Sequence, residues 1–183
     1  MSDAEHDVAL EDTDRIHGRT ALVRNVAAAI SLSNAVRSTL GPRGMDKMLV
    51  DEEGNASVTN DGVTVLEKAR VEHPTANLLI ASSSSQDRSA RDGTTTTVIL
   101  MAEMLQNALE LIRAGIHPSI IINGYRIANN KALEELEEIS RNADNRKLKE
   151  AVVKTSLQGK IDSLLSKHLT ELALNAAESL SDE

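Results

Sequence analysis

The chain has 183 residues, a formal net charge of −8 and 40% apolar residues, and Tyr125 is its single aromatic side chain. An acidic chain with no basic stripe and no stacking platform argues against a nucleic-acid backbone as the main partner. With no cysteine there is no disulfide, no thiol catalysis and no Cys-based zinc site. The interior must be built from Leu, Ile, Val, Ala and Met, which suits helix-on-helix packing.

In chain order, residues 1–18 are polar and acidic, the composition of a flexible arm, and contain no apolar run that would make a signal peptide. No stretch approaches the ~20 apolar residues of a membrane span, and the expected location is the cytoplasm. A helix is predicted from about Thr20, with Leu22, Val26, Ala29, Ser33, Val36 and Leu40 on one face. Gly41-Pro42 stops it, because proline cannot continue a helix. Arg43 to Lys47 reads as a loop. Met48–Val50 and Ala56–Thr59 read as the two strands of a hairpin about a turn-rich connector.

Asn60-Asp61-Gly62 is a second turn signal, and Val63 to Ala69 gives one or two helical turns. Pro74 opens a helix through Ile80, and the serines at 82–85 weaken it because their hydroxyls compete for backbone bonds. Asp92-Gly93 breaks the chain. Thr94 to Arg113 is an amphipathic helix with Val98, Met101, Leu105, Ala108 and Ile112 on its stripe. Pro118 opens another, with Ile121, Tyr125, Ala128, Ala132, Leu136 and Ile139 on one face. Residues 141–147 form a polar break. Lys149 to Thr155, the turn Gln158-Gly159-Lys160 and a last helix carrying Leu165, Leu169, Leu172 and Ala176 follow. The five histidines show no ligand spacing, and His73 and His117, each before a proline, read as loop residues.

The most informative stretch is Asp92-Gly93-Thr94-Thr95-Thr96-Thr97. Threonines are poor in a helix interior but suit a helix start, where bare N–H groups attract phosphate. Gly93 lets the backbone approach a ligand, and Asp92 offers the hard oxygen that Mg²⁺ prefers beside nucleotide phosphates. The same residues also fit a plain capped helix whose threonines pack. Leu40-Gly41-Pro42-Arg43-Gly44 can wrap a phosphate or simply end a helix. Asp61 can orient a water for attack on a phosphate or simply hold a turn. Lys160 can meet a terminal phosphate or sit solvated in a loop. The Walker pattern is absent.

Six blocks together resemble the group II chaperonins, the family of the archaeal thermosome and the eukaryotic CCT subunits. They are Thr39 to Leu49, Thr59 to Thr64, His73-Pro74, Asp92 to Thr96, Ile116-His117-Pro118 leading to Gly124-Tyr125-Arg126, and Thr155 to Lys160. The resemblance implies a mainly α fold, a helical bundle like the chaperonin equatorial domain with a small β-hairpin. It implies an ATP-binding first half of that domain over residues 19–145 and the start of an intermediate-like domain over 146–183. The cofactors implied are ATP and Mg²⁺. Leu40, Gly41 and Pro42 would line the nucleotide, Gly93, Thr94 and Thr95 would hold phosphates, and Asp92 would ligate the metal. Asp61 would help activate the attacking water, and Lys160 would sense the terminal phosphate. The partners implied are other chaperonin subunits in a ring, with unfolded proteins held through domains beyond this stretch.

Three stretches depart from the family pattern. Arg88, Ser89 and Arg91 stand where the family has an acidic pair and then glycine; Ser82–Ser84 replace more helix-friendly residues; Ile161 follows Lys160 where glycine is common. A family subunit is also much longer, and its second equatorial half supplies a further glycine segment and a second catalytic Asp. The expectation is therefore a truncated or split subunit that retains ATP·Mg²⁺ binding and carries only part of the hydrolytic site. The alternative is a non-catalytic interaction or regulatory fragment that docks on full-length subunits.

Overall fold

The computed structural model describes residues 16–69, 71–158 and 161–181; residues 1–15 of the expected acidic arm lie outside them. Among the described residues the fold is mainly α. Helices α1 (Gly18–Arg37), α2 (Gly62–Lys68), α3 (Pro74–Ala90), α4 (Thr94–Arg113), α5 (Pro118–Ile139), α6 (Arg146–Leu157) and α7 (Ser163–Ser181) accompany strands β1 (Lys47–Val50) and β2 (Ala56–Thr59). The strands form an antiparallel hairpin in which Lys47 faces Thr59 and Val50 faces Ala56. Lys47, expected in the loop, is the first residue of β1.

The core lies where α1, α2, α3 and α4 meet. Ala29, Leu32 and Val36 from α1 pack with Val65 and Leu66 from α2, Ala76 and Leu79 from α3, and Val98 and Ala102 from α4. These are small and branched aliphatic side chains, so the helices approach closely. Arg37 and Glu103 pair across α1 and α4, and the Tyr125 hydroxyl donates to the Met104 carbonyl at 2.7 Å, tying α5 to α4. α6 and α7 pack on each other, helped by Arg146, which pairs with Glu178 and donates to Asn175 Oδ1 at 2.7 Å.

Several expectations are corrected. α1 starts at Gly18 and ends at Arg37, so Leu40, read as its last face residue, lies beyond the helix and is 48% exposed. α3 continues unbroken through its serines. Ser82 Oγ donates back to the Leu78 carbonyl at 2.9 Å, Ser83 is buried, and Ser84 donates to Glu67 Oε1 at 3.2 Å. Each hydroxyl therefore has a local use compatible with the helix. His73 and His117 do lie in loops, as expected, and each also caps the helix that follows, their Nδ1 atoms accepting from the N–H of Thr75 at 3.2 Å and of Ser119 at 3.3 Å. The proline that follows each one holds it extended and opens the helix at its first position.

The stripe assigned to α5 is only partly covered, with Ile121 buried but Leu136 57% and Ile139 69% exposed. On α7 the buried residues are Ser166, Thr170 and Leu174, whereas Leu165 and Leu172 are exposed. α6 extends two residues into the expected polar break, capped by the Asn145 side chain on the Leu148 N–H at 2.9 Å. Among the described residues no helix is long and apolar enough to cross a membrane.

Candidate functional site

Two Asp-Gly turns stand side by side. In the first, Asp61 caps α2: its Oδ2 accepts from the Thr64 N–H at 2.9 Å and from the Thr64 hydroxyl at 2.6 Å. Gly62 is then the first residue of α2 and is buried. A Cβ there would stand 2.1 Å from Thr95 Oγ1 and 3.3 Å from Thr95 Cβ. Glycine is thus what lets the Asp61 turn lie directly against the start of α4.

In the second, α3 ends at Arg91 in the left-handed region (φ 54°, ψ 17°), and Gly93 also has positive φ (78°) as the N-cap of α4. Gly93 has no side chain, so no side-chain bond caps this 20-residue helix. The first intrahelical bond runs from the Thr97 N–H to the Gly93 carbonyl at 2.9 Å. The amides of Thr94, Thr95 and Thr96 precede that bond and point outward at the positive end of the helix dipole. Asp92 bends back, Oδ1 accepting from the Gly93 N–H at 2.7 Å, while its carbonyl accepts from Gln86 Nε2 at 3.0 Å. Ser83 Oγ donates to the Thr94 carbonyl at 3.3 Å, pinning α3 to α4 beneath the turn.

The third wall is the loop Thr39 to Gly44. It folds on itself through the Gly44 N–H to the Gly41 carbonyl at 2.9 Å and the Met45 N–H to the Ser38 carbonyl at 2.8 Å. Gly41 has φ 84°, and a Cβ on Gly44 would stand 2.1 Å from the Thr39 carbonyl oxygen. Both glycines are therefore required by the shape of the loop.

These three segments line one open cleft of about 800 Å³, together with Asp87, residues 141–143 of the α5–α6 linker, and Leu148, Val152 and Thr155 of α6. Of the site residues read from the sequence, Leu40, Gly41, Pro42, Asp61, Asp92, Gly93, Thr94 and Thr95 all line it. Lys160 lies outside the described residues. Arg91, singled out in the sequence as a departure beside Asp92, lines the cleft too, whereas the sequence reading missed Asp87, Arg141, Asn142 and the α6 wall. The one signal available for these was the polar break at 141–147.

The donor set fits magnesium bound with a nucleotide. Among the described residues no three His, Asp or Glu side chains gather as a metal cage. Magnesium beside phosphates takes one or two carboxylates and leaves the rest of its shell to phosphate oxygens and water. Asp92 at the mouth of uncapped amides offers that arrangement.

Residues 32–183 match the family described as "TCP-1/cpn60 chaperonin family". The chain is 46% identical over 175 residues to "Thermosome subunit beta" of Archaeoglobus fulgidus, covering 94% of this chain and 32% of that protein. It is 42% identical over 185 residues to "Thermosome subunit" of Methanocaldococcus jannaschii, covering 100% of this chain and 34% of that protein. It is 41% identical over 175 residues to "Thermosome subunit 2" of Haloferax volcanii, covering 94% and 31%. The chain thus spans about a third of the length of these curated relatives. The family match takes in the cleft and both Asp-Gly turns, and the chain belongs to the TCP-1/cpn60 chaperonin family.

Proposed function

We propose that the cleft binds ATP with Mg²⁺, and that the chain works as a subunit of an ATP-driven protein-folding chaperonin in the cytoplasm. The observation that carries this is the convergence on one cleft of an uncapped helix start, an adjoining carboxylate and a closed glycine loop. A polyphosphate satisfies outward amides that nothing else in the turn satisfies. Leu40, Gly41 and Pro42 flank the nucleotide, Gly93, Thr94 and Thr95 meet its phosphates, and Asp92 gives an oxygen to the metal. Bound magnesium supplies charge neutralisation at the phosphates.

Asp61 serves twice in this reading. Oδ2 holds the Thr64 cap, and the other oxygen orients a water toward the phosphates. Residues 19–145 hold the nucleotide, and 146–183 begin a second domain whose helix α6 faces it. Lys160 joins the site on its motif alone. Partners are other chaperonin subunits in a ring, and the substrates are unfolded proteins.

Calorimetry and thermal unfolding with and without Mg·ATP test the reading. Saturation at ~100 times the dissociation constant should add about 2.7 kcal/mol of stability, and Asp92→Ala should remove the magnesium-dependent part. No heat and no shift in Tm for the wild-type chain would sink it. Phosphate release compared between wild type and Asp61→Ala measures hydrolysis separately.

A further inference from the structure

Arg91 is the one non-glycine residue with positive φ among the described residues. An L side chain in that region carries a steric penalty, and such strain persists only where something else rewards it. Packing gives no such reward, because the Arg91 side chain is 80% exposed. Its one ion pair, Nη1 to Asp87 Oδ2 at 3.2 Å, is of the exposed i,i+4 kind that contributes little.

Charge adds an independent argument. The described residues lining the cleft include three carboxylates, Asp61, Asp87 and Asp92, against two guanidinium groups, Arg91 and Arg141. A nucleoside triphosphate remains anionic with one magnesium bound, so a cleft that holds it needs its cations turned inward. Arg91 is held by Asp87 alone, and Asp87 is partly exposed (32%), so water can solvate it once the pair opens. Arg91 also adjoins Asp92, which would hold the magnesium of a bound nucleotide beside its phosphates.

We infer that Arg91 is a phosphate contact that exchanges Asp87 for the terminal phosphates of a nucleoside triphosphate, favouring the triphosphate over the diphosphate. This rests on the reading of the cleft as a Mg·ATP site. The planar guanidinium offers paired donors to phosphate oxygens, which a lysine ammonium does not. Backbone strain at the turn is then the conformational cost of aiming that group along the cleft.

The experiment is calorimetry of Mg·ATP and Mg·ADP on the whole chain, comparing wild type with Arg91→Gly, Arg91→Lys and Asp87→Asn, alongside thermal unfolding. Loss of one charge-assisted contact predicts ATP binding about tenfold weaker in Arg91→Gly, with ADP changed less. The Tm of that variant should rise, since glycine removes the strain; weaker binding by a more stable protein is not a folding defect. Arg91→Lys should fall between the two, and Asp87→Asn should bind ATP about twofold tighter or more because the competing carboxylate is gone. Equal ATP affinity in wild type and Arg91→Gly overturns the inference while leaving the Mg·ATP reading intact. Unchanged or weaker binding by Asp87→Asn overturns the exchange. An absence of heat in the wild-type chain overturns both readings together.

Discussion

The turns Asn60-Asp61-Gly62 and Arg91-Asp92-Gly93 share the Asp-Gly pair and each opens a helix, yet the two helix N-termini they present to the cleft are finished differently. At α2 the Asp is the N-cap and closes the helix with its own carboxylate. At α4 the glycine is the N-cap, the Asp stands one residue further back, and the amides are left uncapped. One residue of register decides whether a helix start is finished by a side chain or left uncapped. The two turns also depend on each other, because Gly62 touches Thr95.

That contact gives the largest expected effect. Gly62→Ala would drive a methyl into the Thr95 side chain, and overpacking of this kind costs about 1–3 kcal/mol. Urea unfolding measures it. The double variant with Thr95→Ala, which removes the hydroxyl 2.1 Å from the added Cβ, should recover much of the loss. Strict additivity of the two changes would show that the turns are not coupled through this contact.

The capping difference gives the next effect. Asp61→Ala removes an N-cap and should cost about 1 kcal/mol. Asp92→Ala removes a bond only to the adjacent Gly93 N–H and should lie within about 0.5 kcal/mol of wild type, as surface changes usually do. Equal losses in the two variants would break the comparison, since it assigns stability to the first Asp and ligand binding to the second.

These turns also mark how far the sequence can be read. The α1 stripe was legible because periodicity reports directly on burial at Val26, Ala29 and Val36. The α4 stripe was legible in part, through Val98, and the hairpin was legible from its turn-rich connector, since its Met48, Val50 and Val58 are exposed. Periodicity does not report what covers a stripe, so Leu136 and Ile139 on α5 and Leu165 and Leu172 on α7 were assigned to packed faces and are exposed. Propensity misjudged Ser82–Ser85, because Ser83 sits buried in the narrow α3–α4 gap and serine propensity carries no knowledge of that neighbour. Near the site, glycine motifs brought Leu40, Asp61, Asp92 and Thr94 to attention. The difference between the two Asp-Gly pairs is invisible in sequence, since it lies in the left-handed φ of Gly93 and the helical φ of Gly62. Arg141, Leu148 and Val152 line the cleft only because the α5–α6 linker folds back across it, and no local pattern encodes that return.

The third test concerns Arg91, which ends α3 in the conformation that glycine tolerates best. Arg91→Gly relieves a left-handed cost of about 1–2 kcal/mol and gives part of it back through greater freedom in the unfolded chain. The loss of the exposed Asp87 pair is small beside either. A net gain of about 0.5–1 kcal/mol in thermal or urea unfolding is expected. A loss instead would mean that the arginine side chain supports the turn, and that the two Asp-Gly turns are held by side chains in the same way.

A third Asp-led turn, Asp51 to Asn55 in the hairpin, extends the comparison with the smallest effect. Its carboxylate finishes the turn internally, as Asp61 does: Oδ1 accepts from the Asn55 N–H at 2.8 Å and the Glu53 N–H at 3.0 Å, and Oδ2 accepts from Asn55 Nδ2 at 3.0 Å. The Asn55 side-chain bond first, and the Asn55 backbone bond next, hold its pKa below the ordinary 3.8. A carboxylate whose folded pKa is depressed contributes stability that is present above the unfolded value and lost as pH falls through the folded one. The hairpin turn is therefore unchanged from neutral pH down to about 3.8 and loosens only below it. The Asp51 carboxyl carbon, followed by NMR, should titrate below 3.8, and the midpoint should return toward that value in Asn55→Ala. A midpoint at or above 3.8 in the wild-type chain would mean that these three bonds do not favour the charged form, and that the turn is closed by its backbone alone.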